Sequence, residues 1–413
     1  MRGLEAKLAV RSLGRNVRRT LLSLVGIAVG CALAALLTGL LRGVTRLYGQ
    51  IAAESGAGHL RIAPEGWLAE REVDLRLRDG EAALAAARAL PGVKVAAPRT
   101  RAQGLLALGT HVMGMEIVGV DPSAEPVAYR FVRKVVKGRY LKPGEEGTVV
   151  LGRELARRLD ADVDDDLVLT VVGEGGQLRS AMFHVVGLVT SGNRDLDAGL
   201  CQAPLPDVAR LSGREGIGEI AVLLSDARAL ETARAALAPR LPPGDVVLTW
   251  SEVVPELAGH LKQDAGVYQL LSFILVFLVL LGVASAQLTA VLERRRELAV
   301  MAAVGMRPWR LVTQMLMEAV VLGVAGAALA LLVSGTLLWR LATAGLDLSR
   351  LLAGRSEMAF EGMLVEPRIY GDFGFWLVPY VLGLALTATV VASLYPAWFA
   401  ARLDPAAALR VAQ

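Results

Sequence analysis

"LERRRELAVMAAVGMRPWR", residues 292–310, lies between two long uncharged stretches, and its reading decides how the whole chain is laid out. An arginine at the centre of a bilayer costs about 2.5–3.5 kcal/mol, so three in a row must stay in water or among headgroups. Yet the segment is not written as a loop. Leu298, Met301, Ala302 and Gly305 recur at i, i+3, i+4 and i+7, the spacing of one helix face. Gly305 is a natural helix stop, and Pro308 suits the first turn of a following helix. The pattern predicts a short amphipathic helix over 293–305, a break, and a new helix from Pro308. Such a helix either lies flat on the membrane with its arginines snorkelled or seats in the groove of another protein. The pattern leaves both open.

Working outward, the uncharged run 265–292 precedes this bridge and a second span, 308–339, follows it. Two more apolar runs cover 21–41 and 373–401. Residues 21–41 alone would rise roughly 31 Å as a helix, the thickness of a bilayer core. The run 265–292 would be about 42 Å long and is expected to project beyond the membrane. A mean hydropathy of +0.48 with 20% charged residues agrees with a membrane protein rather than a soluble one. The chain is basic, but its low aromatic content (5%) and the lack of any basic-aromatic cluster point away from nucleic acid.

Arginine placement orients the spans. Arg2, Lys7, Arg11, Arg15, Arg18 and Arg19 precede the first, the bridge carries five arginines, and Arg402 and Arg410 follow the fourth. The positive-inside rule therefore places the N-terminal segment 1–20, the bridge and the tail 402–413 in the cytoplasm. Residues 42–264 and the loop 340–372 are then outside. Tyr48, Tyr268, Trp339 and Trp376 would mark the outer interface, and Trp309 and Trp398 the inner one. Gly26, Gly30 and Ala34, and likewise Ala319, Gly323 and Ala327, form small-residue stripes suited to close helix packing.

The expected fold is a membrane α-helical protein with four transmembrane helices. A large extracytoplasmic domain, α/β at its flanks and β-rich within, is inserted between helices one and two. Strand, alanine-rich helix and valine strand follow one another across 58–99 and again across 217–250, with Asp79 and Asp226 as helix caps. Residues 100–215 would form the β-rich insert. Ser251 is expected to cap a helix running through "EVVPELAGHLKQDAG" into the second span, tying movement in the domain to movement in the membrane.

Catalytic chemistry is hard to find. No G-x-x-x-x-G-K-[ST] occurs, so this chain is not expected to bind ATP through a P-loop. The four histidines are scattered, without metal-ligand spacing. "DADVDDD" at 160–166 opens like a calcium loop but lacks the glycine and the closing glutamate, and reads as a solvated turn. "VVGEGGQ" at 171–177 reads as a hairpin turn. Cys31 and Cys201 are too differently placed to be expected to pair.

"ERRRELAVMAAVGMRPWRLVTQMLMEAVVLG" resembles the hallmark of the FtsX-like (MacB/Lol-type) ABC transporter permeases: a basic run, a glutamate, Ala-x-Gly and a later glutamate. "YPAWFAARLDPAAALR" at 395–410 resembles that family's C-terminal ending, and "VRSLGRNVRRTLLSLVGIAVG" at 10–30 its approach to the first span. "VVKGRYL", "FHVVGLVTSGNRDLD" and "TWSEVVPEL" are similar to the lipoprotein-releasing LolC/LolE branch. The resemblance implies a non-enzymatic permease of the bacterial inner membrane, paired with a second permease, identical or homologous, and with two separate ABC ATPase subunits. ATP and Mg would sit on those ATPases, and this chain would bind no cofactor. The 293–305 segment would be the coupling helix, with Leu298 and Met301 as apolar anchors, Arg296 and Glu297 as a polar rim and Gly305 ending it. Glu318 would either pair with an arginine at the inner interface or reach water. The implied action is mechanotransmission: lipoprotein release or transport of amphiphilic cargo, with a periplasmic carrier or adaptor as further partner. MacB-like efflux and force-driven control of an extracytoplasmic hydrolase are the alternatives. The turn 173–179 is short for the chaperone-binding hook that one Lol permease carries.

Overall fold

The structure, a computed structural model, describes residues 17–70, 75–173, 176–191, 194–293, 300, 308–347, 358–360, 363–365 and 368–401. Its helices of seven residues or more are α1 (Val17–Glu54), α2 (Gly80–Arg88), α3 (Arg153–Leu159), α4 (Leu205–Ser212), α5 (Leu230–Leu237), α6 (Pro255–Glu293), α7 (Pro308–Ala344) and α8 (Leu377–Ala401). The chain divides into two units. One comprises 1–44, 262–347 and 368–413; the other comprises 45–261 and 348–367.

Four of the helices, α1, α6, α7 and α8, are long and apolar enough to cross a membrane. With 38 and 39 residues, α1 and α6 are about 57 and 58 Å long, nearly twice a hydrocarbon core. Both therefore belong partly to each unit. The spans pack through a shared apolar cluster that includes Ile27 and Cys31 from α1, Val283 from α6, Leu322 and Ala330 from α7, and Val381 and Ala385 from α8. The small-residue stripes explain how closely the helices meet. A Cβ on Gly30 would lie 1.9 Å from a methyl of Val279 on α6, and one on Gly323 would lie 2.6 Å from Thr389 Oγ1 on α8. Ala34, Ala319 and Ala327 are buried. Gly26 departs from the stripe: nothing lies within 4 Å of its Cβ position. Its helical spacing is right, but Gly26 is exposed, while Ile27 beside it is the residue of that turn that packs against α7 at Gly326.

The large domain is built on one ten-stranded sheet. Its strands are β1 (Leu60–Pro64), β2 (Val93–Leu108), β3 (His111–Val120), β4 (Val135–Gly138), β5 (Thr148–Gly152), β6 (Asp166–Val172), β7 (Leu178–Val189), β8 (Cys201–Pro204), β9 (Glu219–Leu224) and β10 (Asp245–Thr249). At one end the order is β10-β1-β9-β2, all antiparallel. The crossover β1-α2-β2 skips β9, and β9-α5-β10 skips β1, so two split β-α-β units interlock. Residues before and after a long insertion thus meet in one layer. Ala83, Leu84 and Ala87 of α2 and Ala233 and Leu237 of α5 cover Leu60, Ile62, Ile220 and Val222. Asp79 starts α2 by accepting the Ala82 N–H at 2.9 Å. Asp226 accepts the Arg228 N–H at 2.9 Å and starts a 3-10 turn, Ala227–Ala229, from which α5 continues.

Strand β2 carries the sheet onward. Its first half pairs with β9, and its second half pairs with β3 and β6. A second core gathers there from Leu106, Ile117, Leu151, Leu169, Phe183 and Val185 under Leu155, Leu159, Val208 and Leu211 of α3 and α4. The glycine-bearing stretch 171–177 joins β6 to β7 as an antiparallel hairpin, closed by the Gly173 N–H on Gln177 O at 2.7 Å. In the 160–166 run, Asp162 pairs with Lys137, and Asp164 and Asp166 with His184. Cys31 and Cys201 are free and buried.

One helix start differs from the sequence expectation. Ser251 does not cap a helix that runs on into the second span. Thr249 caps a single turn, Trp250–Val253, in a box with Glu252, and Val254 leaves the helical region (φ −120°, ψ 72°). Pro255 then begins α6. Proline lacks an amide hydrogen and disfavours helical geometry in the residue before it, so it opens a helix and does not continue one.

Candidate functional site

The bridge residues Arg296, Glu297, Leu298, Met301 and Gly305 lie outside the described residues. Its flanks are described. α6 ends at Glu293 and α7 begins at Pro308, and Val291 of α6, Leu311 of α7 and Ala400 of α8 close a small apolar cluster with Met315 and Phe399. The two helices that the bridge connects are therefore held against each other and against α8 at that end. Glu318, two turns after Trp309, is 8% exposed and is not an isolated charge.

A second constellation sits in the large domain, where α1 ends. Gly56 adopts a left-handed φ of +100°, and the Ala57 N–H returns to Ala52 O at 3.2 Å, a Schellman-type stop. Only glycine takes that φ without strain. The Gly56 carbonyl, just past the last turn of α1, accepts two guanidinium donors. Arg61 Nη2 reaches it at 2.8 Å, and Arg99 Nη1 makes the second bond. Arg61 stands on β1 and Arg99 on β2, so the sheet grips the end of the helix with two charge-assisted bonds.

Both arginines are nearly inaccessible, at 4% and 2% exposure. Their charges are balanced locally, as burial demands. Arg99 Nε donates to Glu125 Oε2 at 2.9 Å, Gln202 Nε2 donates to the other Glu125 oxygen at 3.1 Å, and the Tyr140 hydroxyl donates to Gln202 Oε1 at 2.6 Å. Arg61 Nη1 lies 3.2 Å from Glu219, whose second oxygen accepts from Arg101 Nε at 3.0 Å. Arg101 also donates to Glu116 at 2.6 Å. The guanidinium of Arg61 stacks over Trp67 at 5.1 Å. Burial pushes the Glu219 carboxyl up, but Arg101, Arg61 and Arg99 overturn that and hold it at about 2. Burial lowers Arg61 to about 10 despite Glu219. Tyr129 is raised by burial to about 12.

The network borders a cavity of about 460 Å³, lined in part by Ser55, Gly56, Arg61, Arg99, Glu116 and Val253. The cavity thus touches the end of α1 and the turn that precedes α6. Arg61 Nε and Arg99 Nη2 have no protein acceptor. Buried charge thus ties the residue that ends α1 to strands β1 and β2.

Sequence reasoning did not single out this joint. "GHLRIAP" reads as a strand, and arginine in a strand usually points to water. The one available signal was that Arg99 and Arg101, two apart, share a strand face. Their acidic partners, Glu116, Glu125 and Glu219, are 15 to 158 residues from the arginines they meet. Pairing over that separation is decided by the sheet order.

Comparison with known proteins adds the following. Residues 20–240 match the family model described as MacB-like periplasmic core domain, and residues 270–405 match that of the FtsX-like permease C-terminal region. The chain is 27% identical over 347 residues to the lipoprotein-releasing system transmembrane protein LolC of Xylella fastidiosa, covering 81% of this chain and 82% of that one. It is 28% identical over 351 residues to the pyoverdine export ATP-binding/permease protein PvdT of Pseudomonas fluorescens, covering 79% of this chain and 47% of PvdT. Among solved structures, the periplasmic region of MacB from Actinobacillus actinomycetemcomitans superposes at a TM-score of 0.37 and 14% identity, covering 52% of this chain and 98% of that one.

Proposed function

We propose, from the premise that this chain belongs to the family of the MacB-like periplasmic core domain and FtsX-like permease C-terminal region and is an ABC transporter permease of the inner membrane, that it works by transmitting force. In this reading the bridge 293–305 is the coupling helix, pressed by a separate ATPase subunit that holds ATP and Mg. The N- and C-terminal segments lie in the cytoplasm with it. Two ATPases and a second permease complete the assembly. Nucleotide-driven movement at the bridge passes along α6 and α1 to the large domain, which releases amphiphilic cargo, a lipoprotein in the leading case, from the outer leaflet. A periplasmic carrier would accept it.

One observation carries this reading. Two helices about twice as long as a hydrocarbon core needs are shared between the membrane unit and the large domain, and the end of one is gripped by buried arginines. A merely anchored domain needs only a flexible tether. A rigid helix with a charge-locked end conveys displacement. Glu318 supports the same picture as a buried polar point near the bridge end of α7. Similarity along 82% of a LolC favours lipoprotein release. Export of a small amphiphile is the second reading, supported by similarity along 79% of this chain to a pyoverdine exporter.

The test separates the ATPase cycle from its output. In the assembled complex in nanodiscs, Met301→Asp should leave insertion intact while separating ATP hydrolysis from cargo release. Inserting Gly-Gly after Asp264 should leave hydrolysis intact and abolish release. Full release with the insertion in place would end the force-transmission reading, and release of a labelled lipoprotein but not of a small amphiphile would decide between the two cargo classes.

A further inference from the structure

A groove of about 240 Å³ opens on the large domain beside α1, separate from the arginine joint. Its walls include Arg46 and Glu54 of α1, His59, Lys94 of β2, and Asp226 and Arg228 of the loop after β9. The geometry points to a binding site for a phosphate group, and we propose that a phospholipid headgroup supplies it.

His59 sets the polarity of the groove. It is 5% exposed, and its Nδ1 accepts the Leu224 backbone N–H at 3.1 Å. An imidazole that accepts at Nδ1 carries its proton on Nε2. Nε2 has no protein acceptor. A buried N–H is costly to leave unmade, and His59 is part of the groove wall, so an unmet donor lies beside the site. Burial also lowers the His59 pKa, against a smaller upward pull from Glu54, which keeps the ring neutral at pH 7.

The charges around it favour an anion. Arg46, Lys94 and Arg228 approach from three different elements. The three cations outnumber the two acids of the lining, Glu54 and Asp226, and Glu54 also lies 3.8 Å from Arg130. Cations arriving from α1, from β2 and from the loop after β9 suit a tetrahedral group with several oxygens better than a planar carboxylate with two.

Depth argues for a lipid as the source. Arg46 stands five residues beyond Leu41, where the uncharged run ends. That is about 7.5 Å of helix rise. The headgroup zone adds roughly 5–7.5 Å on each side of the hydrocarbon core, so Arg46 reaches phosphate level. The proposal concerns the foot of the large domain alone and does not depend on how the ATPase couples.

The test uses the full chain in detergent, stripped of lipid, with native mass spectrometry as readout. The probes are dihexanoyl phosphatidylglycerol, inorganic phosphate and phosphate-free dihexanoylglycerol. We expect the phospholipid to bind at least about tenfold more tightly than dihexanoylglycerol, and this preference to vanish in the double variant Lys94→Glu/Arg228→Glu, both residues being exposed. His59→Gln, which can accept from Leu224 and still donate, should retain binding. Inorganic phosphate that binds as tightly as the phospholipid, with the same loss in the double variant, would overturn the lipid source. Equal binding of dihexanoylglycerol, or a double variant that binds phospholipid as before, would overturn the site altogether.

Discussion

The two long helices meet the large domain in opposite ways. α1 ends on Gly56, whose carbonyl is held by Arg61 and Arg99 within a network of buried charges. α6 begins after a one-turn helix capped by Thr249 and Glu252, at Pro255, with Val254 outside the helical region between them. The first joint is long-range: it uses residues from three strands and the insertion, and it is expensive in desolvation. The second combines a local cap with apolar packing of Trp250, Val254, Leu257 and Leu261 on Tyr48 and Ala52 of α1. Buried charges with fixed partners resist displacement, because any shift leaves a charge unpaired. A capped single turn packed on apolar side chains leaves no buried charge unpaired when it shifts. One joint is thus clamped by buried charge, and the other is held by a cap and apolar contacts.

The contrast can be broken most severely at the clamp. Glu125→Ala would leave Arg99 buried without its carboxylate and should destabilise the large domain by about 3–5 kcal/mol. Hydrogen exchange at 93–108 in the full chain would register it; exchange unchanged from wild type would mean that the network is not load-sharing. The paired Arg99→Met/Glu125→Met variant removes both charges together, so it should keep the fold while Gly56 loses one donor, and cargo release should fall more than stability does.

Packing between the spans comes next. Gly30→Leu must push α1 away from Val279 and should cost about 1–3 kcal/mol, read as reduced resistance of the spans to denaturing detergent. The corresponding change at Gly26, which faces open space, should cost far less.

At the start of α6, Thr249→Ala removes one local cap and should cost about 0.5–2 kcal/mol, less than the clamp variant. If the two proved equal, the distinction between the charged joint and the capped one would fail.

Acid offers the mildest probe. The Glu219 pKa is depressed to about 2 from an ordinary 4.5, so its contribution is present above pH 4.5 and is lost as pH falls toward 2. His59 also has a depressed pKa, so its contribution is present above its ordinary 6.5 and is lost as pH falls further, when Nδ1 takes a proton and gives up the Leu224 N–H. Exchange of the Leu224 amide should therefore rise on mild acidification, before that of β1 and β9 around Glu219. A reversed order would contradict both assignments.

Much of the architecture was written in local pattern. Four uncharged runs of bilayer length, an arginine bridge and two strand–helix–strand echoes are properties of neighbouring residues, and hydropathy and periodicity respond to neighbours. Asp79 and Asp226 could be named as caps because a cap acts within three residues. Ser251 was misplaced because Thr249 and Ser251 are both capable caps, and only the backbone turn before Pro255 selects between them.

The arginine joint was not legible in the same way. Nothing near Arg61, Arg99 or Arg101 in the sequence says that they are buried, since their counter-charges arrive from Glu116, Glu125 and Glu219 only once β1, β9 and β2 lie side by side. The same holds for His59, whose tautomer depends on Leu224, 165 residues away. The chain by itself determined which four segments are long and apolar enough to cross a membrane, because transfer from water to lipid is a sum over consecutive residues. Tertiary structure alone decided which polar groups meet in the dry interior, because pairing there depends on distances that only strand order and register set.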